Sequence, residues 1–356
     1  MKGRVIALDE IAGRRVAALI ADGRLEDIAF DPVEGDPPVP GAIFRAVVGR
    51  PVKGQGGVFV KLPGGKSGFL RQVSRLSPGQ RVLVQVSGHA EPGKAVPVTL
   101  RLLFKSRYCI VTPDAPGLNV SRRIRDEDMR ADLTDLAKTA MEGADATLGL
   151  IVRSAAEAAG EDEVADDILR MRGLAEAVLA DLDGDPELLV DGPDAEEFAW
   201  TEWADPAPDE TAERPGAFAE FGVRELIDAA LDPVVPLPAG ASMVIEPTRA
   251  LVAVDVNTGA DTTPAAGLKA NIAAARELPR QLRLRGLGGQ VVIDFAPMPK
   301  KDRAVLDQAM KAAFRTAGAE TSLAGWTPLG NYELQRKRDR MPLAETLRRN
   351  RGEAPR

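Results

Sequence analysis

The run "ALVAVDVNTG" (250–259) places Asp255 inside an otherwise apolar, strand-like segment, and "GGQVVIDF" (288–295) repeats the arrangement with Asp294. Burying a carboxylate without a partner is costly, so the chemistry of these two positions needs a reason. Side chains alternate along a strand. Leu251, Ala253, Asp255 and Asn257 therefore share one face, while Val252, Val254 and Val256 occupy the other. Val291, Ile293 and Phe295 likewise lie opposite Asp294. If the two strands neighbour one another in a sheet, both carboxylates reach one cation. Such hard oxygen ligands suit magnesium, which accepts one or two carboxylates and keeps several waters. An ion held this way can supply a nucleophilic water and stabilise charge on a phosphoryl oxygen. Asn257 is placed to hydrogen-bond Asp255 and fix its orientation. Spacing alone leaves a second reading open, because "DVNTG" has turn composition and an aspartate at a strand end also caps turns.

Composition narrows the alternatives. One cysteine, Cys109, and one histidine, His89, exclude a disulfide framework and a Cys/His zinc site, so no zinc is expected. His89 lies in the loop-like "SGHAEPGK", and Cys109 in the apolar "YCIVT" reads as a small buried residue. Acid and base chemistry then falls to carboxylates, lysine, or water on a metal. The net charge of −7 argues against indiscriminate nucleic-acid binding. The charge is uneven, however: residues 183–214 hold twelve acidic residues against one arginine, while "RQLRLR" (280–285), "QRKRDR" (335–340) and "LRRNR" (347–351) read as local basic patches. The start "MKGRVIALDE" has no apolar h-region and no stretch nears membrane-spanning length, so a cytoplasmic protein without a membrane span is expected.

The elements that position these residues follow from periodicity. Residues 4–31 read as three strands, with Asp22-Gly23 as the hairpin turn between the last two. Five strand-like runs between Gly41 and Leu103, "AIFRAVVG", "GGVFVKL", "KSGFLRQ", "QRVLVQV" and "AVPVTLRL", fit a small closed barrel of the OB type. Two amphipathic helices follow, one carrying Met129, Leu133, Leu136 and Ala140, the other Val164, Ile168, Met171 and Val178. Between them "ATLGLIVRSA" reads as a strand ending at Arg153-Ser154. Residues 183–220 read mainly as loop, with one strand at "ELLVDG". From Val223 onward, strands and helices alternate as in an α/β layer sandwich: helix "VRELIDAAL", strands "SMVIEP" and "ALVAVDV", a helix over 265–284, strand "QVVIDF" and helix "KDRAVLDQAMKAAFRTA". The segment from "LGNYELQRKR" onward registers only as basic. The fold class expected is α/β, or α+β across several domains.

"ALVAVDVNTG" followed by "NIAAARELPRQLRLRGLGGQVVIDF" closely resembles the catalytic region of the ribonuclease E/ribonuclease G family. That resemblance implies that Asp255 and Asp294 bind magnesium, with manganese an admissible substitute, and that Asn257 orients Asp255. "GGVFVKLPGGKSGFL" resembles the family's S1-type barrel, which makes Phe59 and Phe69 RNA-stacking or channel-lining aromatics and Lys94 a contact near the RNA path. On composition alone, either Phe also fits the barrel core. "NVSRRIRDED" and "LGLIVRSA" resemble the two segments of the family's 5′-monophosphate sensor. By that match Arg153 grips the terminal phosphate, Ser154 donates beside it where the family usually has threonine, and Arg122 braces the pocket. By spacing alone, an arginine at a strand end such as Arg153 reads first as an ordinary surface charge.

The resemblance implies a domain order: N-terminal strands of a trimmed RNase H-like subdomain (1–38), S1-type OB barrel (39–103), 5′-sensor region (104–182), an acidic remainder of the RNase H-like part or linker (183–222), a DNase I-like catalytic domain (223–342) and a basic tail (343–356). It implies a magnesium-dependent endoribonuclease for single-stranded RNA, leaving 5′-phosphate and 3′-hydroxyl ends, stimulated by a 5′-monophosphate and working in ribosomal RNA maturation or messenger RNA decay. Three departures stand out. The region after Arg153 is shorter than the family norm, and "GLLEMxRxR" appears as "GNYELQRKR". The Cys-Pro-x-Cys zinc link is missing, so a zinc-linked tetramer is not expected while a homodimer is admissible. Two other classes stay in play: a noncatalytic RNA-binding or assembly factor on the same scaffold, and a metal phosphohydrolase for small molecules.

Overall fold

A computed structural model describes residues 3–52, 56–71, 76–91, 93–261, 263, 265–315 and 320–352. The chain forms two compact units, one of residues 1–22 and 29–214, the other of 23–28 and 215–356.

In the first unit β1 (Arg4–Ile11) and β2 (Arg14–Ala21) pair antiparallel. Asp22 and Gly23 both take positive φ, as a type I′ turn requires, and lead into β3 (Arg24–Phe30). The barrel strands are β4 (Ile43–Val52), β5 (Gly57–Lys61), β6 (Ser67–Arg71), β7 (Arg81–Val86) and β8 (Val96–Thr99). Their order β4-β5-β6-β8-β7 closes through β4–β7, and β6–β8 is the one parallel pair, which is OB topology. The alternate residues Val58, Val60, Leu70, Val82, Val84, Val96 and Val98 fill its interior.

Beyond the barrel, β9 (Phe104–Lys105), β10 (Cys109–Thr112), β11 (Gly117–Val120) and β12 (Gly149–Val152) form a sheet in the order β11-β12-β10-β9. Helices α1 (Glu127–Ala140) and α2 (Glu161–Ala180) pack on it. Asp126 caps α1 by accepting from Met129 N at 3.0 Å. The expected face of α2, Val164, Ile168, Met171 and Val178, is buried throughout.

The acidic segment is more ordered than its composition suggests. It begins with β13 (Glu187–Val190), the expected strand, which pairs antiparallel with the start of β4, at Ile43–Arg45. It continues with α3 (Ala195–Glu202) and β14 (Glu210–Glu213), the latter parallel to β1. The loop reading of this stretch is corrected: Asp194 and Glu197 form a reciprocal capping box at 2.8 and 3.3 Å, and Trp203 is buried edge-on against Phe198. Half of its twelve acidic residues, Glu187, Glu196, Glu197, Glu202, Glu210 and Glu213, therefore lie on regular elements.

The second unit begins with α4 (Ala217–Glu220) and α5 (Val223–Leu231). It continues with β15 (Val234–Pro236), β16 (Ser242–Pro247), β17 (Val252–Asn257), α6 (Ala266–Leu284), β18 (Gly289–Asp294), α7 (Arg303–Phe314), β19 (Thr321–Trp326), β20 (Tyr332–Arg336) and α8 (Leu343–Asn350). The sheet order is β15-β16-β17-β18-β20-β19, with β17 and β18 its parallel pair. Val254, Val256, Val291 and Ile293 meet Ala274, Leu278 and Leu282 of α6 and Leu306 and Met310 of α7 in one core. The opposite face carries Asp255, Asn257, Gln290 and Asp294, all exposed. The expected α/β character and the closed barrel are both present. Among the described residues no helix is long and apolar enough to cross a membrane.

Candidate functional site

Asp255 and Asp294 are direct register partners on β17 and β18. In a parallel pair the two backbones run about 4.8 Å apart, with matched side chains on the same face. Both carboxylates thus leave the open face of the sheet side by side and are exposed. Asn257 Nδ2 donates to Asp255 Oδ2 at 2.8 Å, which fixes one oxygen and leaves the other for a ligand. Among the described residues neither carboxylate is ion-paired with lysine or arginine, so the two like charges face each other unneutralised. No group of three or more His, Cys, Asp or Glu suited to a metal occurs among those residues. Two oxygen donors beside open solvent fit a hydrated divalent ion, which needs few protein ligands.

The strand end carrying Asp294 is anchored from below. Asn271 of α6, fully buried, donates Nδ2 to Ala296 O at 2.9 Å and accepts from Ala296 N at 2.9 Å. Gly267 lets the same helix touch this backbone: a Cβ there would lie 2.1 Å from Pro297 O. Sequence reasoning passed over Asn271, although an amide in the apolar stripe of an alanine-rich helix is a recognisable signal of a buried tether.

The basic runs of this unit are not the free patches their composition suggested. Arg280 donates to Leu25 O at 2.5 Å, Arg283 pairs with Glu26 at 3.3 Å, Arg340 pairs with Asp27 at 2.5 Å, and Arg24 reaches Glu277 at 2.6 Å. Arg285 and Arg336 are buried. These guanidinium groups tie residues 24–27 to α6 and the segment after β20.

On the barrel, Phe59 and Phe69 are register partners on β5 and β6 with ring centroids 5.1 Å apart. Val58, Val60, Gly68 and Leu70 point inward, so both rings stand on the outer face, and Phe59 is 38% exposed. The core reading of these phenylalanines does not hold. Gly57 makes room for the pair, since a Cβ there would lie 2.6 Å from the Phe69 ring. Lys94 is exposed and ion-paired with Glu91.

Arg153 and Ser154 follow directly on β12. Arg153 is clasped by backbone: NH1 donates to Ser106 O, NH2 to Thr201 O at 2.6 Å, and its amide to Tyr108 O at 2.8 Å. Burial pulls its pKa down, against the raising influence of Glu202, Cys109 and Asp205. Ser154 Oγ donates to Asp205 Oδ2, and Arg123 NH1 pairs with the same oxygen at 3.0 Å. Arg122 is exposed, and it is its neighbour Arg123 that reaches this cluster. Neither Arg123 nor Asp205 was singled out from sequence. No local pattern marks Asp205, which arrives through the folding of the acidic segment.

A sequence model described as the Ribonuclease E/G family matches residues 104–210 and 209–339. The chain belongs to the ribonuclease E/G family. Ribonuclease G of Escherichia coli K12 is 30% identical over 395 residues, covering 93% of this chain and 79% of the relative. Ribonuclease E of Synechocystis is 33% identical over 309 residues, covering 76% of this chain and 45% of the relative. Ribonuclease E of Nostoc is 32% identical over 302 residues. The chain thus spans less than half the length of the cyanobacterial ribonuclease E/G members that it matches.

Proposed function

We propose that this protein is a magnesium-dependent endoribonuclease that cuts single-stranded RNA internally, leaving 5′-phosphate and 3′-hydroxyl ends. The observation that carries the reading is the register pairing of Asp255 with Asp294, with Asn257 holding the first. Both aspartates would hold the ion, magnesium or in its place manganese. When bound, it supplies Lewis-acid polarisation of the scissile phosphate and a water of lowered pKa. Asn257 keeps the Asp255 carboxylate in one orientation, and Asn271 holds the backbone just beyond Asp294. Phe59 and Phe69 offer two rings on which unpaired bases stack, and Lys94 supplies a cation on the same barrel. Arg153, Ser154 and Arg122 are the groups proposed to test the RNA 5′ end, with a 5′-monophosphate stimulating cleavage. Ribosomal RNA maturation or messenger RNA decay in the cytoplasm is the corresponding role.

A noncatalytic RNA-binding factor is the second reading, favoured by the outward phenylalanine pair alone. Two unneutralised aspartates on an exposed face weigh against it, since a binder gains nothing by holding them near a phosphate backbone. The test is incubation of a 5′-monophosphorylated, AU-rich oligonucleotide with magnesium or with EDTA. Internal cuts in magnesium alone, ending in 3′-hydroxyls that accept ligation, are expected. Tight binding without any cut under either condition would overturn the enzyme reading.

A further inference from the structure

The proposed 5′-end pocket already contains an anion of its own. Ser154 Oγ and Arg123 NH1 both bind Asp205 Oδ2, and these are a hydroxyl and a guanidinium of the kind a terminal phosphate would take. The carboxylate is held from both flanks. Trp203, two residues before it, is buried and its carbonyl accepts from Arg4 NH2 at 2.9 Å. Asp209, four residues after it, accepts from Arg4 N at 2.6 Å, and β14 then pairs with β1. Asp205 is thus presented by a fixed segment rather than by a loose side chain, and its own side chain is 29% exposed. Arg153 cannot compensate freely, because two backbone carbonyls already take its guanidinium.

We infer that Asp205 is a specificity-determining residue: its carboxylate competes with the RNA 5′-monophosphate for Ser154 and Arg123 and so weakens this chain's preference for phosphorylated ends. The inference rests on the 5′-end reading of the pocket proposed above. A phosphate entering beside Asp205 meets a like charge in a half-buried setting, or must displace it and leave it unpaired. A 5′-hydroxyl carries no charge and can donate to the same carboxylate. The carboxylate therefore narrows the gap between the two ends.

The test compares one AU-rich RNA sequence bearing a 5′-monophosphate or a 5′-hydroxyl. Cleavage is measured with the full chain as wild type, Asp205→Asn, Asp205→Ala and Ser154→Ala. Equilibrium binding of the matching 2′-O-methyl oligonucleotides reads the same ratio without turnover. Removing the charge should raise the monophosphate-to-hydroxyl ratio at least roughly fivefold, in Asp205→Asn and Asp205→Ala alike. A ratio within twofold of wild type in both Asp205 variants would overturn the inference. If Ser154→Ala lowers the ratio in that case, the sensor stands and only the competition fails. If the ratio is near one in every protein, the sensor reading fails together with it.

Discussion

Asp255 and Asp294 face each other as bare carboxylates, and their behaviour on substitution follows from that exposure. Asp255→Asn or Asp294→Asn should abolish RNA cleavage while the circular dichroism spectrum stays native, because neither side chain packs in the core. In EDTA both variants should melt no lower than wild type, since one of two repelling charges is gone. Magnesium should raise the melting temperature of wild type and leave the variants unmoved, as expected when a ligand binds only the native state. A magnesium-induced rise of the same size in the variants would place the ion elsewhere. Asn257→Ala should lower kcat by about 10- to 100-fold, the range seen when a residue orienting a metal ligand is lost. This pair was legible in the sequence because strand alternation decides the face and similar apolar flanks put each aspartate near a strand end. The register that sets them side by side depends on pairing across 39 residues of chain and became visible only in the fold. Asp205 was illegible for the same reason: its partners Arg123 and Ser154 come from segments that share no local pattern with it.

At the scale of elements, the end of β18 depends on the amide of Asn271. Asn271→Ala removes both of its hydrogen bonds to Ala296, together with a weaker one to Met298 Sδ, and leaves the N–H and C=O of Ala296 in a buried place without those partners. A loss of about 2–4 kcal/mol in urea unfolding is expected, together with weaker magnesium binding. A neutral effect on both would show that the backbone after Asp294 holds its course unaided. Helix α5 and strand β16 run over the same residues that periodicity gave, because each is bounded by turn residues and has a clear apolar face. Helix α3 was obscured by the charge of its outer face, though its capping box was present in "DAEE". Strand β20 was hidden because it runs into the basic stretch "QRKRDR", and β19 because "TSLAGW" is short and only weakly apolar. Arg336, which looks like a surface charge, is instead buried in the row of Tyr332 and Leu334, and a register shift interrupts β19 between Leu323 and Gly325.

For the molecule as a whole, alkaline pH is the revealing condition. Burial pushes the Cys109 thiol up to about 12, Asp167 adding to the effect against a Ser106 hydrogen bond. Burial and the hydrogen bond to Glu163 push the Tyr108 phenol to about 12 as well. In the unfolded chain these groups ionise near about 8.5 and 10. The unfolded state therefore binds fewer protons in this window, and stability should be undiminished below about pH 8.5 and fall as pH rises toward 12. Urea midpoints between pH 7 and 10 check the sign, and a rising midpoint would contradict it. Iodoacetamide at pH 8 should leave Cys109 unmodified in the folded protein and label it once the chain is unfolded.

The parallel pairing of β1 with β14 carries a consequence for biosynthesis. Arg4 and Asp209, bonded beside that pair, are 205 residues apart. A ribosome adding about 5–20 residues per second leaves the amino-terminal hairpin with an unsealed border for about 10–40 seconds. Through that interval the barrel can close with its own strands, whereas the hairpin presents a row of unsatisfied amides and carbonyls to whatever nascent chain or chaperone is nearby.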